Sequence, residues 1–194
     1  MITVSTSEKR GYHHGDLRAA AIAAGLDLLK SRAADDLGLR EVARAVGVSA
    51  TALYRHFPDK AALLLALAQE GLHRLGVAQR RASEAAGGGV AGFSATGSAY
   101  VRFALDNPAL FRLIFANPMP HDHKTLAAAD PDDAMAMLQA AAAALAPPGM
   151  EPRVFALQSW SIAHGLAMLI LDKQIAVDDA TIDAVIDAHV VAAP

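Results

Sequence analysis

The 194-residue chain contains no cysteine, which excludes a disulfide framework, a thiolate metal cluster and a cysteine nucleophile. Aromatic residues make up only 5% of it, and valine and isoleucine are scattered rather than alternating, so strands are not favoured. A long apolar run is also missing. The most apolar late segment, Ile162 to Leu171, is about half of the roughly 20 residues a membrane-spanning helix needs, and His164 interrupts it. The stretch Met1 to Gly15 is polar and basic without an apolar centre. It reads as an arm rather than a signal peptide, and a cytoplasmic protein with no membrane partner is expected. Metal chemistry finds little support: His121 and His123 flank Asp122 without a third supporting cluster, and His13-His14 reads as part of the arm. Ser161 and His164 share a helical face, yet no carboxylate is placed to orient the base and no nucleophile elbow precedes the serine. Neither an enzyme nor a cofactor is implied.

What the chain does have is helix-forming apolar residue. Hydrophobic residues make up 54% of it, dominated by alanine and leucine, which can fill one medium domain or two small ones. An all-α fold follows. Charge is uneven along the chain. Residues 1–82 hold 12 Lys and Arg against 8 Asp and Glu, and the remainder holds 5 against 12, within a net charge of -3. A basic front half and an acidic rear half suggest that only the front meets a polyanion.

Apolar spacing divides the chain into elements. Leu17, Ala21, Ala24 and Leu28 make one helical stripe that Asp16 can cap, with an end near Arg32 to Ala34. Leu39, Val42, Ala43 and Val46 make a second, short stripe that Gly47 breaks. Ser49 is the natural cap of a third helix, Ala50 to Phe57, ended by Pro58. Pro58 and Asp59 open a long fourth helix carrying Leu63, Leu64, Leu67, Ala68, Gly71 and Leu75. A glycine-rich stretch, Gly87-Gly88-Gly89 through Gly92 and Gly97, then reads as a joint. Helices resume over Ser98 to Asp106 and Pro108 to Ala116; Pro118 to His123 reads as a loop. Asp133 to Ala146, Pro152 to Asp172 and Asp178 to Val191 complete about nine helices. The expected organisation is an N-terminal three-helix domain over residues 1–60, a linking helix to about 82, and a C-terminal helical domain over 83–194.

Two short helices joined by a glycine turn have the spacing of a helix-turn-helix, whose second helix can lie in a DNA major groove. Leu53 and Phe57 can seat that helix on the core, leaving Thr51, Tyr54 and Arg55 outward. Arg55 offers a planar fork suited to guanine, Thr51 offers a hydroxyl and a methyl, and small Ala50 and Ala52 permit close backbone approach. Ser49, Tyr54, His56 and Lys60 suit phosphate oxygens, and Arg40 can reach phosphate or base. The run from Arg40 through Gly47-Val48-Ser49 and Leu53-Tyr54-Arg55-His56-Phe57-Pro58-Asp59-Lys60 closely resembles the DNA-binding signature of the TetR family. The segment Tyr12-His13-His14-Gly15-Asp16-Leu17-Arg18 resembles the lead-in to that family's first helix. Gly38 departs from the pattern, standing where the family often has Ser or Thr as the cap of the second helix. The resemblance implies that Arg40, Thr51, Tyr54 and Arg55 face bases or the groove wall, and that Tyr54, His56 and Lys60 fix phosphates.

The rear half is similar to a subgroup of the same family through Ala99-Tyr100-Val101-Arg102-Phe103-Ala104, Asn107-Pro108-Ala109-Leu110-Phe111-Arg112-Leu113-Ile114-Phe115, and a Trp-x-x-x-His-Gly element at Trp160, His164 and Gly165. This implies a small-molecule effector pocket and a homodimer through the last two helices. Tyr100, Phe103, Phe111, Phe115, Trp160, His164 and Met168 are the candidate effector residues; Tyr100, Phe103, Phe111 and Phe115 suit core packing first, Trp160 and His164 suit either role, and Met168 is adaptable filler in both. Gly165 suggests a close helix crossing. The reading is a ligand-responsive repressor that binds a pseudo-palindromic operator in double-stranded DNA. Its rivals are a non-specific architectural DNA binder and a small-molecule enzyme on a helical scaffold, the latter requiring paired titratable groups that this sequence does not display.

Overall fold

Alanine and leucine at helical spacing give helices wherever the chain is described. The computed structural model describes residues 17–116 and 132–191; within them lie nine α-helices, one 3₁₀ turn (Ala34–Asp36) and no strand. Asp16 as a cap, the His13-His14 arm and the Pro118 to His123 loop fall outside these residues.

The front of the chain is α1 (Leu17–Leu29), α2 (Leu39–Val46), α3 (Ala50–Tyr54) and the long α4 (Lys60–Ala85). α1 stops before the Arg32 to Ala34 end suggested by its stripe. The amides of Lys30 and Ser31 turn back onto the carbonyls of Asp27 and Leu28, and Arg32 leaves the helix to pair with Glu41 on α2. Gly38 begins α2 without a side-chain cap, and Gly47 ends it at φ 79°, a left-handed conformation that glycine adopts without the clash of a Cβ. Ser49 caps α3, its hydroxyl oxygen accepting from the Ala52 amide at 3.2 Å. α3 ends at Tyr54 rather than Phe57. The amides of His56 and Phe57 both return to the Leu53 carbonyl, so the chain tightens into a final turn before Pro58 can forbid helix. Asp59 caps α4, its carboxylate accepting from the Ala62 amide at 2.8 Å.

The rear of the chain is α5 (Gly89–Asp106), α6 (Pro108–Ala116), α7 (Ala134–Leu145), α8 (Pro152–Leu171) and α9 (Asp179–Val191). Only Gly87, Gly88 and Gly89 form the reversal between α4 and α5, all with positive φ. α5 begins there and not at Ser98, so Gly92 and Gly97 are helical residues rather than parts of a joint. Each lets a neighbour approach: a Cβ on Gly92 would meet Ser83 of α4, and one on Gly97 would meet Ile186 of α9. That contact offsets the roughly 1 kcal/mol a glycine costs inside a helix. Gly165 marks no close crossing among the described residues, since a Cβ there would meet none of them within 4 Å.

Two large apolar clusters share α4 and α6. The front cluster joins Ala21, Leu26, Val42, Leu53, Phe57, Leu63 and Leu67 to Leu110, Leu113 and Ile114 of α6. The rear cluster joins Leu75 and Phe111 to Tyr100, Val101, Ala163, Leu166, Ile182 and Ile186. Each large side chain sealed in them contributes about 1.5–3 kcal/mol of transfer free energy. α6 therefore lies between the two, one face on each. A smaller cluster gathers Phe93, Ala142, Phe155 and Ala156. α8 is longer than the apolar stretch measured in the sequence: its 20 residues have the length and mean hydropathy, 1.6, of a membrane span. It is laid instead against α5, α7 and α9, burying Phe155, Ala156, Ala163, Leu166 and Ala167.

Candidate nucleic-acid interface and aromatic cluster

α3 is held by what it buries. Leu53 and Phe57 are sealed in the front cluster, and the Arg18 guanidinium of α1 lies over the Phe57 ring, 5.6 Å from its centre, a cation–π contact. Seating these two residues turns the opposite side of α3 outward. Arg40, Ser49, Thr51, Tyr54, Arg55 and His56 are exposed, while Ala50, Ala52 and Lys60 are half-buried. Tyr54 is 45% exposed, far more than an aromatic ring needs when packing alone decides its place. Ser49 serves as cap through its oxygen, and its hydroxyl proton remains available to donate to an acceptor such as phosphate. Lys60 is less free than the sequence suggested: its ammonium donates to the Asp35 carbonyl in the 3₁₀ turn, with two protons left over.

Electrostatics sharpen the picture. Arg40, Arg44 and Arg55 make no ion pair among the described residues, whereas Lys30, Arg32 and Arg74 pair with Asp27, Glu41 and Glu70. Arg44, exposed one turn after Arg40 on α2, was missed by the sequence reading. Its i, i+4 spacing from Arg40 was the available signal, since residues so placed share a helix face. The result is a stripe of free guanidinium, hydroxyl and phenol groups across α2 and α3, suited to phosphate oxygens and base edges.

The second set of candidates meets in the rear cluster. Tyr100 and Phe111 are buried; Phe103, Phe115, Trp160, His164 and Met168 are half-buried around them. The rings are in mutual contact: Tyr100 stands edge-on to Phe111 at 5.4 Å, and Phe115 lies 4.9 Å from both Phe111 and His164. A polar chain threads these rings. The Trp160 indole donates to the Tyr100 hydroxyl at 3.2 Å, and that hydroxyl lies 2.8 Å from Nδ1 of His164. The histidine is thus satisfied by a tyrosine from α5 and not by a carbonyl. Burial pushes the Tyr100 phenol well above its usual range, the Trp160 contact opposing it, and burial holds His164 below the ordinary histidine value. Both shifts favour the neutral form of the group.

Ser161 points elsewhere. It lines an open cleft of about 370 Å³ with Val154, Leu157, Gln158, Ile162 and His189 on the outer side of α8 and α9. Beside this cleft His189 stacks on Phe155 at 5.5 Å and reaches Ser159 Oγ at 3.0 Å. Ser159 also bonds the Phe155 carbonyl at 2.8 Å, so the pair is occupied structurally.

A short capped helix seated on a three-helix core, with a stripe of cations unpaired among the described residues outward and further helices packed behind, defines a helix-turn-helix DNA-binding regulator. Residues 21–67 match the tetR family of bacterial regulatory proteins, and residues 93–193 match the tetracyclin repressor-like C-terminal domain. The chain belongs to the TetR family of transcription regulators, proteins of recognition rather than of catalytic turnover. It is similar to a protein of unknown function from Rhodococcus sp. RHA1, with 32% identity and a TM-score of 0.77, covering 95% of this chain and 99% of that one. The fold is shared with a TetR family transcription regulator from Marinobacter aquaeolei VT8, at 18% identity and TM-score 0.67, covering 90% and 95% of the two chains. It is shared also with a TetR variant from Acinetobacter baumannii AYE in complex with minocycline, at 22% identity and TM-score 0.57, covering 90% and 94%.

Proposed function

We propose that this chain is a homodimeric, ligand-released repressor. The observation that carries the reading is the unpaired stripe of α2 and α3. Arg55 and Thr51 read base edges, with Arg40 and Tyr54 at bases or the groove wall; Ala50 and Ala52 allow close approach; and Ser49, His56 and Lys60 hold phosphates, joined by Arg44. Two copies related by a two-fold axis place their recognition helices one helical turn of DNA apart, about 34 to 36 Å, and so read a pseudo-palindrome.

Support for pairing through α8 and α9 comes from apolar side chains left outside. Leu157 is 59% exposed, and Val154, Leu169 and Val185 are likewise exposed. Val154 and Leu157 line the open cleft at His189, and covering these side chains with a second copy removes apolar surface from water. The aromatic cluster is the effector site. α6 carries Phe111 and Phe115 on its rear face and Leu110 and Ile114 on its front face, where they meet Gly71 of α4. An effector that binds the released state better than the DNA-bound state shifts the equilibrium between them.

Selection of bound duplexes from a random pool tests this reading. The expected product is an inverted repeat bound by two chains, with a preference over random duplex of at least about 10³-fold at physiological salt. An asymmetric site bound by one chain, or a preference near unity, overturns it.

A further inference from the structure

The polar chain in the aromatic cluster has a direction. Indole N–H is only a donor, so Trp160 places its proton on the Tyr100 oxygen. The Tyr100 hydroxyl proton then needs an acceptor, and the one within reach is Nδ1 of His164 at 2.8 Å. Left otherwise, this buried phenol would keep an unmet donor. A neutral His164 that accepts at Nδ1 carries its own proton on Nε2. That N–H has no partner among the described residues, and it lies on a ring that retains accessible surface beside half-buried Phe115, Trp160 and Met168.

Among the described residues, the rings of Tyr100, Trp160 and His164 pack against those of Phe111 and Phe115. The nearby cations of α5 and α6 face away: Arg102 bonds Asp183 of α9, and Arg112 bonds Asp172 after α8. An anionic ligand would lose its hydration here without gaining a counter-charge from the described residues, and so would a cationic one.

We propose that the ligand of this cluster is an uncharged aryl carbonyl compound whose oxygen accepts the outward N–H of His164 while its ring lies against Phe115 and Trp160. This deepens the effector reading above and rests on it. The buried groups supply specificity, because a ring lacking the acceptor leaves the His164 N–H unpaired.

Trp160 is the single tryptophan of the chain, so its fluorescence reports the site directly. The full-length protein is titrated with acetophenone and 2-acetylnaphthalene, with ethylbenzene as the ring without an acceptor, and with benzoate as the anion; calorimetry confirms each isotherm. The two ketones are expected to saturate, acetophenone about tenfold tighter than ethylbenzene, near the upper worth of one net hydrogen bond, with no saturable binding of benzoate. His164→Phe should erase the ketone preference while keeping the hydrocarbon. Tyr100→Phe, which frees the histidine tautomer, should narrow the preference, and it serves if the first variant does not fold. Equal affinity for ketone and hydrocarbon, tighter binding of benzoate, or no saturation by either ketone overturns the proposal. Duplex release separates the two readings: ketone binding without release supports the ligand class and removes the release step, whereas release by a charged compound alone keeps the release step and sinks the ligand class.

Discussion

Arg40, Arg44 and Arg55 on α2 and α3 are exposed and have no carboxylate partner among the described residues, whereas Arg102 and Arg112 in the rear half each reach one on or beside another helix. Exposed ion pairs contribute only about 0–1 kcal/mol, so the front loses little stability by going without them. What it keeps is free positive charge that can displace counterions from a phosphate backbone. The rear half differs around its aromatic cluster: the cations of α5 and α6 beside it are paired, and the His164 ring, bonded at Nδ1 to Tyr100, sits among the rings of Phe111 and Phe115. The first arrangement suits a polyanion, and the second suits the neutral guest proposed above.

The largest effect should follow from unseating the recognition helix. Phe57→Ala removes a ring that is 1% exposed and should cost about 3–5 kcal/mol in urea unfolding, with duplex binding lost before the aromatic cluster opens. If binding survives, the seat of α3 has been misassigned. Gly76→Ala is next, since a Cβ there would lie 1.7 Å from the Asp132 carbonyl oxygen. Backbone must move, and a loss of about 1–3 kcal/mol is expected; an unchanged urea midpoint would contradict so close an approach. Arg44→Ala should weaken all duplexes alike and reduce the slope of log affinity against log salt by about 1, with no change in unfolding. A sequence-dependent loss would make Arg44 a base reader instead.

The smallest effect concerns pH. Burial holds His164 and His189 below the ordinary histidine value, so as pH falls from 7 to 5 the unfolded chain takes up protons that the folded chain resists. Stability should therefore fall on acidification through that window, and less so in His164→Gln. At the other end Tyr100 is raised by burial, its contribution is present below about pH 10, and it is lost above that value as the unfolded phenol ionises. Urea midpoints across this range measure both arms; a midpoint that rises on acidification contradicts the histidine assignment.

Much of the front was legible because short-range chemistry decides it. Gly47, Ser49 and Asp59 announce their turn and caps, and the i, i+4 pair Leu53 and Phe57 gives the buried face of α3. The end of α3 was not legible, because the shared return of His56 and Phe57 to the Leu53 carbonyl leaves no residue-type signal. The start of α5 was misread for a different reason: Gly92 and Gly97 look like breakers until Ser83 and Ile186, distant in sequence, fill the space a side chain would need. In the rear, spacing pairs Trp160 with His164 but says nothing of the hydroxyl that joins them. Tyr100 comes from 60 residues earlier, and only packing of α5 on α8 delivers it.

The central claim is that the outward stripe of α3 reads sequence, and Arg55→Ala tests it most directly. On a duplex selected by the parent protein, the variant should lose about 1–3 kcal/mol of binding free energy and tolerate substitution at one position of each half-site. Parent-like affinity with unchanged preference at every position would contradict the account.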